Sequence, residues 1–249
     1  MQDLNEQNLK AAIEKVAEAK HPVSFSGAGL SAELGIATFR DGSDDALWAK
    51  FDPMKLASQE GFKDSPETVI GWYKDRRKTL GAASPNAAHL ALGAQTGWIH
   101  ITQNVDNLLE AGGADNASVI HLHGTLERDH CNSECGFSEA IDLNNPPDLR
   151  PCPECGDQMR PSVVWFGEVL PDAAIRTATD AVQRADLMLI IGTSAMVMPA
   201  ASFIDAAMDN GADIIVINTE KSLHQTGNKI ELVGKAGDLV PQLLLSEGT

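Results

Sequence analysis

The sequence predicts an α/β fold: a doubly wound parallel sheet carrying a small inserted module and a helical segment. Three observations carry this. Short apolar strands alternate with helical stretches along the chain. A glycine-rich turn, Gly27-Ala28-Gly29-Leu30-Ser31-Ala32, falls between a strand and a helix. All four cysteines lie between Cys131 and Cys155, in the middle of the chain.

Taken in order, Leu9, Ile13 and Val16 recur at helical spacing and predict an amphipathic helix over 5–20, ended by His21-Pro22. Residues 23–26 read as a strand feeding the glycine turn, and 41–53 as a polar loop. Ser65-Pro66 starts a helix over 66–80. Ser84-Pro85 looks like an N-cap with proline at the first helical position, opening a helix to about Gly97. Strands are expected at 99–102 and 119–122, and an apolar stretch at 163–166. Gln103 to Asp106 reads as the start of a helix. Leu187 to Ile191 is the continuous apolar run of a strand buried on both faces. Pro199 opens a helix stopping near Gly211, and 214–217 is the next strand.

The chain has 249 residues, 43% of them hydrophobic, enough for one large α/β domain with an insertion. The polar Met1–Lys10 stretch predicts no secretory leader, and no apolar run approaches the ~20 residues that span a bilayer. A cytoplasmic protein without membrane partners is therefore expected. A formal charge of −16 repels a phosphate backbone and argues against direct nucleic-acid binding. It suits simple solubility or lysine-rich protein partners equally well.

The cysteines read Cys131-x3-Cys135, then sixteen residues, then Cys152-x2-Cys155. Two thiolate pairs so spaced can close a tetrahedron around Zn(2+), and four thiolates leave no open position, so the site is structural. In a reducing compartment disulfides are the minor alternative. His130 is a competing ligand beside an already full shell.

The glycine turn fits a dinucleotide fingerprint, in which glycines let backbone approach a pyrophosphate at a helix N-terminus. A tight turn with no ligand is the plainer reading. Gln103-Asn104-Val105-Asp106 follows a strand, as do Gly192-Thr193-Ser194 and Asn218-Thr219-Glu220. Strand carboxyl ends are where open α/β sheets bind ligands. Helix capping explains one polar residue in each group, but not all. His123 lies at another strand end, and imidazole is the usual general base near neutral pH; His121 reads as structural. The acid expected at the end of a dehydrogenase's second strand is missing, which counts against hydride transfer.

With these residues assembled, the chain resembles the sirtuins, NAD-dependent protein-lysine deacylases, from about Val23 to Ala236. The resemblance runs through Gly27 to Arg40, Thr102 to Asp106, His123-Gly124, the cysteine quartet, Val163 to Glu168, Gly192-Thr193-Ser194 and Asn218-Thr219-Glu220. It implies a Rossmann-like NAD-binding domain over 1–53, 84–126 and 161–249. A helical acyl-pocket segment over 54–83 and a zinc module over 127–160 complete the expected division. It also implies that Gly27, Ala28, Gly29, Ser31, Ala32, Thr38, Phe39 and Arg40 cover the pyrophosphate and nicotinamide side. Gln103, Val105, Gly192, Thr193, Ser194, Asn218, Thr219, Glu220 and Ala236 complete the cofactor set. Ala37 stands where proline is frequent in the family, and the first cysteine pair has three intervening residues where two are usual.

The family's chemistry implies that the acyl oxygen attacks the nicotinamide ribose carbon, nicotinamide leaves, and His123 acts as general base through the ribose hydroxyls. Asn104 and Asp106 orient the ribose and carboxamide. Val164, Trp165, Phe166, Gly167 and Glu168 pair with the substrate peptide as an added strand. A second resemblance, to bacterial class III members, rests on Tyr73-x-x-Arg76 and on Ala57 at the acyl-pocket wall. At i and i+3, Tyr73 and Arg76 share a helix face and suit the carboxylate of a succinyl- or malonyl-lysine. A solvated Arg76 and a half-buried Tyr73 are the plain alternative. Mono-ADP-ribosyl transfer and a non-catalytic NAD-sensing module are the competing functions.

Overall fold

A computed structural model describes residues 2–34, 52–193, 202–221 and 229–245. Its larger sheet has the order β3-β2-β1-β7-β8-β9, with every adjacent pair parallel. The strands are β1 (Pro22–Ser26), β2 (Ile99–Thr102), β3 (Val119–His121), β7 (Leu187–Ile191), β8 (Asp213–Asn218) and β9 (Lys229–Val233). A second, antiparallel sheet has the order β5-β4-β6, from β4 (Gly124–Cys131), β5 (Ser138–Ala140) and β6 (Met159–Val163).

Strand periodicity explains how the large sheet buries both faces. Leu187, Leu189, Ile191, Ile215 and Ile217 face one core with Ala88, Leu92, Val240 and Leu243. Met188, Ile190, Ile214 and Val216 point the other way, against Ala178, Val182, Phe203 and Ala207. Successive side chains of a strand alternate faces, so helices on both sides require an unbroken apolar run. Helices α1 (Gln2–Glu18), α5 (Ala87–Gly93) and α9 (Ala236–Leu244) cover the first face; α7 (Asp172–Arg184) and α8 (Ser202–Asp209) cover the second. Each buried aliphatic side chain is worth roughly 1.5–3 kcal/mol.

Between β1 and β2 the chain forms α2 (Pro53–Leu56), α3 (Gln59–Asp64) and α4 (Pro66–Ala82). These bury Leu56, Phe62, Ile70 and Tyr73 against Leu126, Val163 and Trp165, a third core joining the helical segment to the small sheet. Arg77 on α4, 1% exposed, ties the same two parts. It donates to the Leu126 and Arg128 carbonyls and meets Asp129 Oδ1 at 2.5 Å. Arg150 holds the other Asp129 oxygen at 2.8 Å.

Several local expectations shift. The α5 cap is Asn86, whose side chain accepts from the His89 amide in a capping box, and the helix ends at Gly93. Ser84-Pro85 precedes it in extended chain, because Asn is at least as good a cap and sits next to the apolar face. Gln103 to Asp106 is loop, and the helix that follows is the single turn α6 (Leu108–Ala111). The small sheet runs from Gly124 to Val163, beyond the 127–160 span on both sides. The strand β9 and the helix α9 went unread in the sequence. Among the described residues, no helix is long and apolar enough to cross a membrane.

Candidate active site

Two glycines bring the strand tips together. Gly27 donates to the Ile191 carbonyl and Gly29 to that of Gly192, at 3.0 and 2.8 Å. A Cβ on Gly29 would lie 2.6 Å from Gly192 Cα, so the turn packs backbone directly on backbone. Such close approach of backbone to backbone is what the glycines of a dinucleotide fingerprint permit. Beside it, Gln103 Nε2 donates to Thr193 Oγ1 at 3.0 Å and Asn218 Nδ2 to the Thr193 carbonyl at 3.2 Å. Three strand ends are thereby linked.

Below the turn lies a buried polar knot. Ser31 Oγ donates to Asp106 Oδ2 at 3.0 Å and accepts from Asn104 Nδ2 at 3.3 Å. All three are buried, Asp106 the most exposed of them at 8%. Burial raises the Asp106 carboxyl pKa, opposed by the Leu108 amide and the Ser31 hydroxyl. His89, which the sequence reading missed, lies 3.3 Å from Ser31 through Nε2. Burial pushes its pKa down to about 4, so it is a neutral support. The Asn86-x-x-His89 spacing was the available signal.

His123 leaves the end of β3 with Nδ1 2.9 Å from the Gln103 carbonyl. A carbonyl only accepts, so Nδ1 carries the proton and Nε2 keeps a lone pair in the neutral ring. Burial lowers the His123 pKa and the bond to Gln103 opposes it, leaving the neutral form favoured at pH 7. The ring is thus tautomerically set as a base.

The helical segment supplies an aromatic wall. Trp165 Nε1 donates to the Tyr73 hydroxyl at 2.9 Å, and the Phe62 and Tyr73 rings lie 5.3 and 6.3 Å from Trp165. Burial pushes the Tyr73 phenol up to about 12, with Arg76 opposing, so it stays protonated. Arg76 stacks 4.9 Å over Trp72; burial lowers its pKa, while Tyr73 and Asp106 raise it. Helix α4 therefore carries Tyr73 against Trp165 and places Arg76 within the electrostatic reach of Asp106. Ala57, 6% exposed, joins the same core.

Residues 164–168 form a loop in which the Val164, Trp165, Phe166 and Glu168 amides all have partners within the chain. Val164 donates to the His123 carbonyl, Trp165 to Glu168 Oε2 and Phe166 to the Ala57 carbonyl, at 2.9, 2.8 and 2.8 Å. The Glu168 carboxylate also takes Arg160 at 2.7 Å and Gln59 at 2.8 Å. Glu168 thus braces the loop from inside, and Arg160 stacks 3.9 Å over Trp165. A peptide strand laid here would meet carbonyls and the Gly167 turn, whose φ is +88°.

At the far end of the small sheet, the four cysteine sulfurs lie within 4.8 Å of one another. A tetrahedral zinc thiolate has sulfurs about 3.8 Å apart, given Zn–S bonds of ~2.3 Å. The nearest pairs are 3.3 Å (Cys131, Cys155) and 3.6 Å (Cys135, Cys152), too long for disulfides. Zinc therefore fits. His130 bonds Ser162 at 3.2 Å and stays outside the ligand group. The extra residue of the first pair is absorbed at Glu134, whose φ of +55° is the one positive value outside glycine among the described residues.

A family model described as the Sir2 family matches residues 27–199. The chain belongs to the Sir2 family. One relative, the NAD-dependent protein deacylase 1 of Pseudomonas aeruginosa, is 41% identical over 95% of this chain and 98% of its own. The NAD-dependent protein deacylase of Pyrococcus furiosus is 40% identical over 92% and 94%. A Sir2 homologue solved as an NAD complex superposes with a TM-score of 0.84, at 39% identity, covering 95% of this chain and 92% of that one. An ADP-ribose complex of a Sir2 homologue gives 0.86 at 37% identity, over 96% and 99%. The Sir2 fold is thus that of this chain, and its four-cysteine group fits zinc.

Within this Sir2 framework the structure gathers Gly27, Ala28, Gly29, Ser31, Gln103, Asn104, Val105, Asp106, His123, Gly192 and Thr193 around adjacent strand tips. Where a helix was expected after β1, the described chain makes two 3-10 turns, Ala28–Leu30 and Ala32–Leu34, the second begun by Ala32. Asn218 reaches them through Thr193, while Thr219 and Glu220 continue exposed beyond β8. Ala236 begins α9, 6% exposed and packed in the first core. Thr38, Phe39, Arg40 and Ser194 lie outside the described residues.

Proposed function

We propose that this chain is an NAD-dependent protein-lysine deacylase of the cytoplasm, passing acetyl groups, and also succinyl or malonyl groups, from lysine to ADP-ribose. Relatives sharing about 40% identity over nearly the whole chain carry the deacylase name. One solved relative holds a myristoylated histone peptide, and another a deacetylated p53 peptide with 3′-O-acetyl-ADP-ribose. The observation that carries the reading is His123, its Nδ1 fixed to the Gln103 carbonyl beside the buried Ser31–Asn104–Asp106 knot.

NAD, when bound, supplies the ribose carbon that accepts the acyl oxygen as nicotinamide leaves. Asn104 and Asp106 orient the nicotinamide ribose and carboxamide. His123, its Nε2 lone pair left free by the Nδ1 bond to Gln103, would accept the proton of a ribose hydroxyl. The strand tips hold the rest of the dinucleotide, with Gly27 to Arg40, Gly192 to Ser194, Asn218 to Glu220 and Ala236 contributing. The acylated lysine enters between residues 164–168 and the helical segment 54–83. The segment 127–160 is the metal-bearing module, and the remaining residues form the cofactor domain.

Tyr73 and Arg76 set the acyl preference. A charge-assisted bond to a carboxylate is worth ~1.5–3 kcal/mol, so Arg76→Met lowers desuccinylation ~10- to 100-fold and deacetylation much less. The test is incubation with NAD and matched acetyl- and succinyl-lysine peptides, with nicotinamide and 2′-O-acyl-ADP-ribose read by mass. Equal losses on both peptides would refute the carboxylate clamp. ADP-ribose transferred to protein without acyl-ADP-ribose would refute deacylation.

A further inference from the structure

Beyond Thr102, the last residue of β2, the chain leaves the sheet, and its next two carbonyls take histidine side chains in place of strand amides. Leu122 N–H donates to the Thr102 carbonyl at 2.9 Å. The Gln103 carbonyl then receives His123 Nδ1, and the Asn104 carbonyl receives His121 Nδ1 at 3.1 Å. Both imidazoles are protonated at Nδ1 for the same reason, that carbonyls do not donate. Their other nitrogens differ. His121 Nε2 lies 2.7 Å from Glu110 Oε1. Two acceptors on one ring call for two protons, and the ring is then a cation paired with a carboxylate.

We propose that His121, held as an imidazolium between Glu110 and the Asn104 carbonyl, is a positioning residue for the nicotinamide end of NAD. It acts through the loop that carries Asn104 and Asp106, and the role rests on the deacylase reading above. The pair is only 19% and 21% exposed at its side chains, which limits screening by water and salt. Helix α6 delivers Glu110 four residues after Asp106, so one ion pair closes the loop on itself.

The surroundings agree with this charge state. Burial alone lowers the His121 pKa, but the Glu110 bond and charge, the Asn104 carbonyl and Asp106 outweigh it, and the pKa ends raised. Glu110 is the mirror case: burial raises its pKa, and the His121 bond and charge carry it below the ordinary value. The other ionisable groups facing the pair are Asp106 in the loop, His100 on β2, and Glu127 on β4. His100 is neutral, its pKa pushed by burial down to about 4. Glu127, whose pKa burial and Glu110 raise against the pull of His121, bonds the Asn107 amide.

A raised histidine pKa means that the clamp is present below that value and released as pH rises through it. Selective ¹⁵N-histidine labelling of the full chain, without NAD, reads the pair directly: His121 gives up its second ring proton at a higher pH than an ordinary histidine, and Glu110→Gln moves that titration down. The kinetic counterpart is kcat/KM for NAD against pH. Glu110→Gln moves the alkaline limb to lower pH, a loss that grows as pH rises and shrinks towards acid pH. His121→Gln, whose amide can still donate to the Asn104 carbonyl but cannot titrate, flattens that limb. A His121 that titrates at or below the ordinary histidine value in the unmodified protein, or a Glu110→Gln profile that superimposes on that protein's after scaling, overturns the proposal. Doubly protonated His121 in a protein that releases no nicotinamide overturns the deacylase reading and the positioning role with it, while the ion pair stands.

Discussion

At the scale of single residues, two histidines separated by one leucine do different work because of what each second nitrogen faces. The sequence alone ranked His123 as the base and His121 as structural, from position next to Gly124 and from resemblance. Neither the tautomer of His123 nor the charge of His121 was legible, since both depend on carbonyls that are seventeen or more residues away in the chain. The tautomer has a measurable consequence. His123 works when neutral and burial lowers its pKa, so turnover is retained above that value and lost as pH falls through it. The acid limb of kcat for deacetylation is expected below ~6.5, the ordinary histidine value. His123→Ala should remove that limb and cost ~10²- to 10⁴-fold in turnover. An acid limb at or above the ordinary value would contradict the burial argument. Ser31 shows the opposite case: its place in the fingerprint was evident, but its bond to Asp106 required β1 and β2 to be neighbours.

Among elements, the strands were the easiest to read and the short helices the hardest. Leu187–Ile191 matches its expected limits residue for residue, because a strand buried on both faces has a compositional signature. The turn α6 was misread because a polar cluster after a strand suits loop and helix start equally, and the cap of α5 because Ser84 and Asn86, two residues apart, are both good caps. Helix α4 was expected, but the burial of Arg77 was not: in sequence Arg77 is one more charge beside Arg76. Its ion pair with Asp129 fastens α4 to β4, with both side chains 1–2% exposed. Arg77→Met leaves Asp129 to Arg150 alone and strips donors from two carbonyls. Losing one partner of a buried pair costs about 3–5 kcal/mol, to be read as a drop in urea-unfolding stability. Replacing both, Arg77→Met with Asp129→Leu, should recover much of the loss; a double variant as unstable as the single would show that geometry rather than buried charge is at stake.

Over the whole molecule, the small sheet connects the cysteine cluster to the loop proposed to hold the acyl-lysine peptide. Cys131 ends β4, Met159 pairs with it on β6, and β6 runs on through Val163 into the loop of Val164 to Glu168. Metal binding and folding of such modules are coupled. Removing zinc with a chelator is therefore expected to raise KM for an acyl-lysine peptide more than the Kd for NAD, because the strand tips of the large sheet do not pass through the module. Loss of both in equal measure would mean that the two sheets unfold as one unit. Zinc added back should restore peptide KM.

The sequence by itself determined the alternation of strands and helices, the two-faced burial of the sheet, the metal quartet and the order of the cofactor motifs. These are properties of periodicity and spacing, and they survive in one dimension. Tertiary structure alone decided which carbonyl each histidine meets, that Arg77 is buried, and that Gly29 rests on Gly192. Each of those depends on a partner brought close by parallel crossovers or by packing between the sheets, and contact at such sequence separation leaves no local trace in composition or pattern.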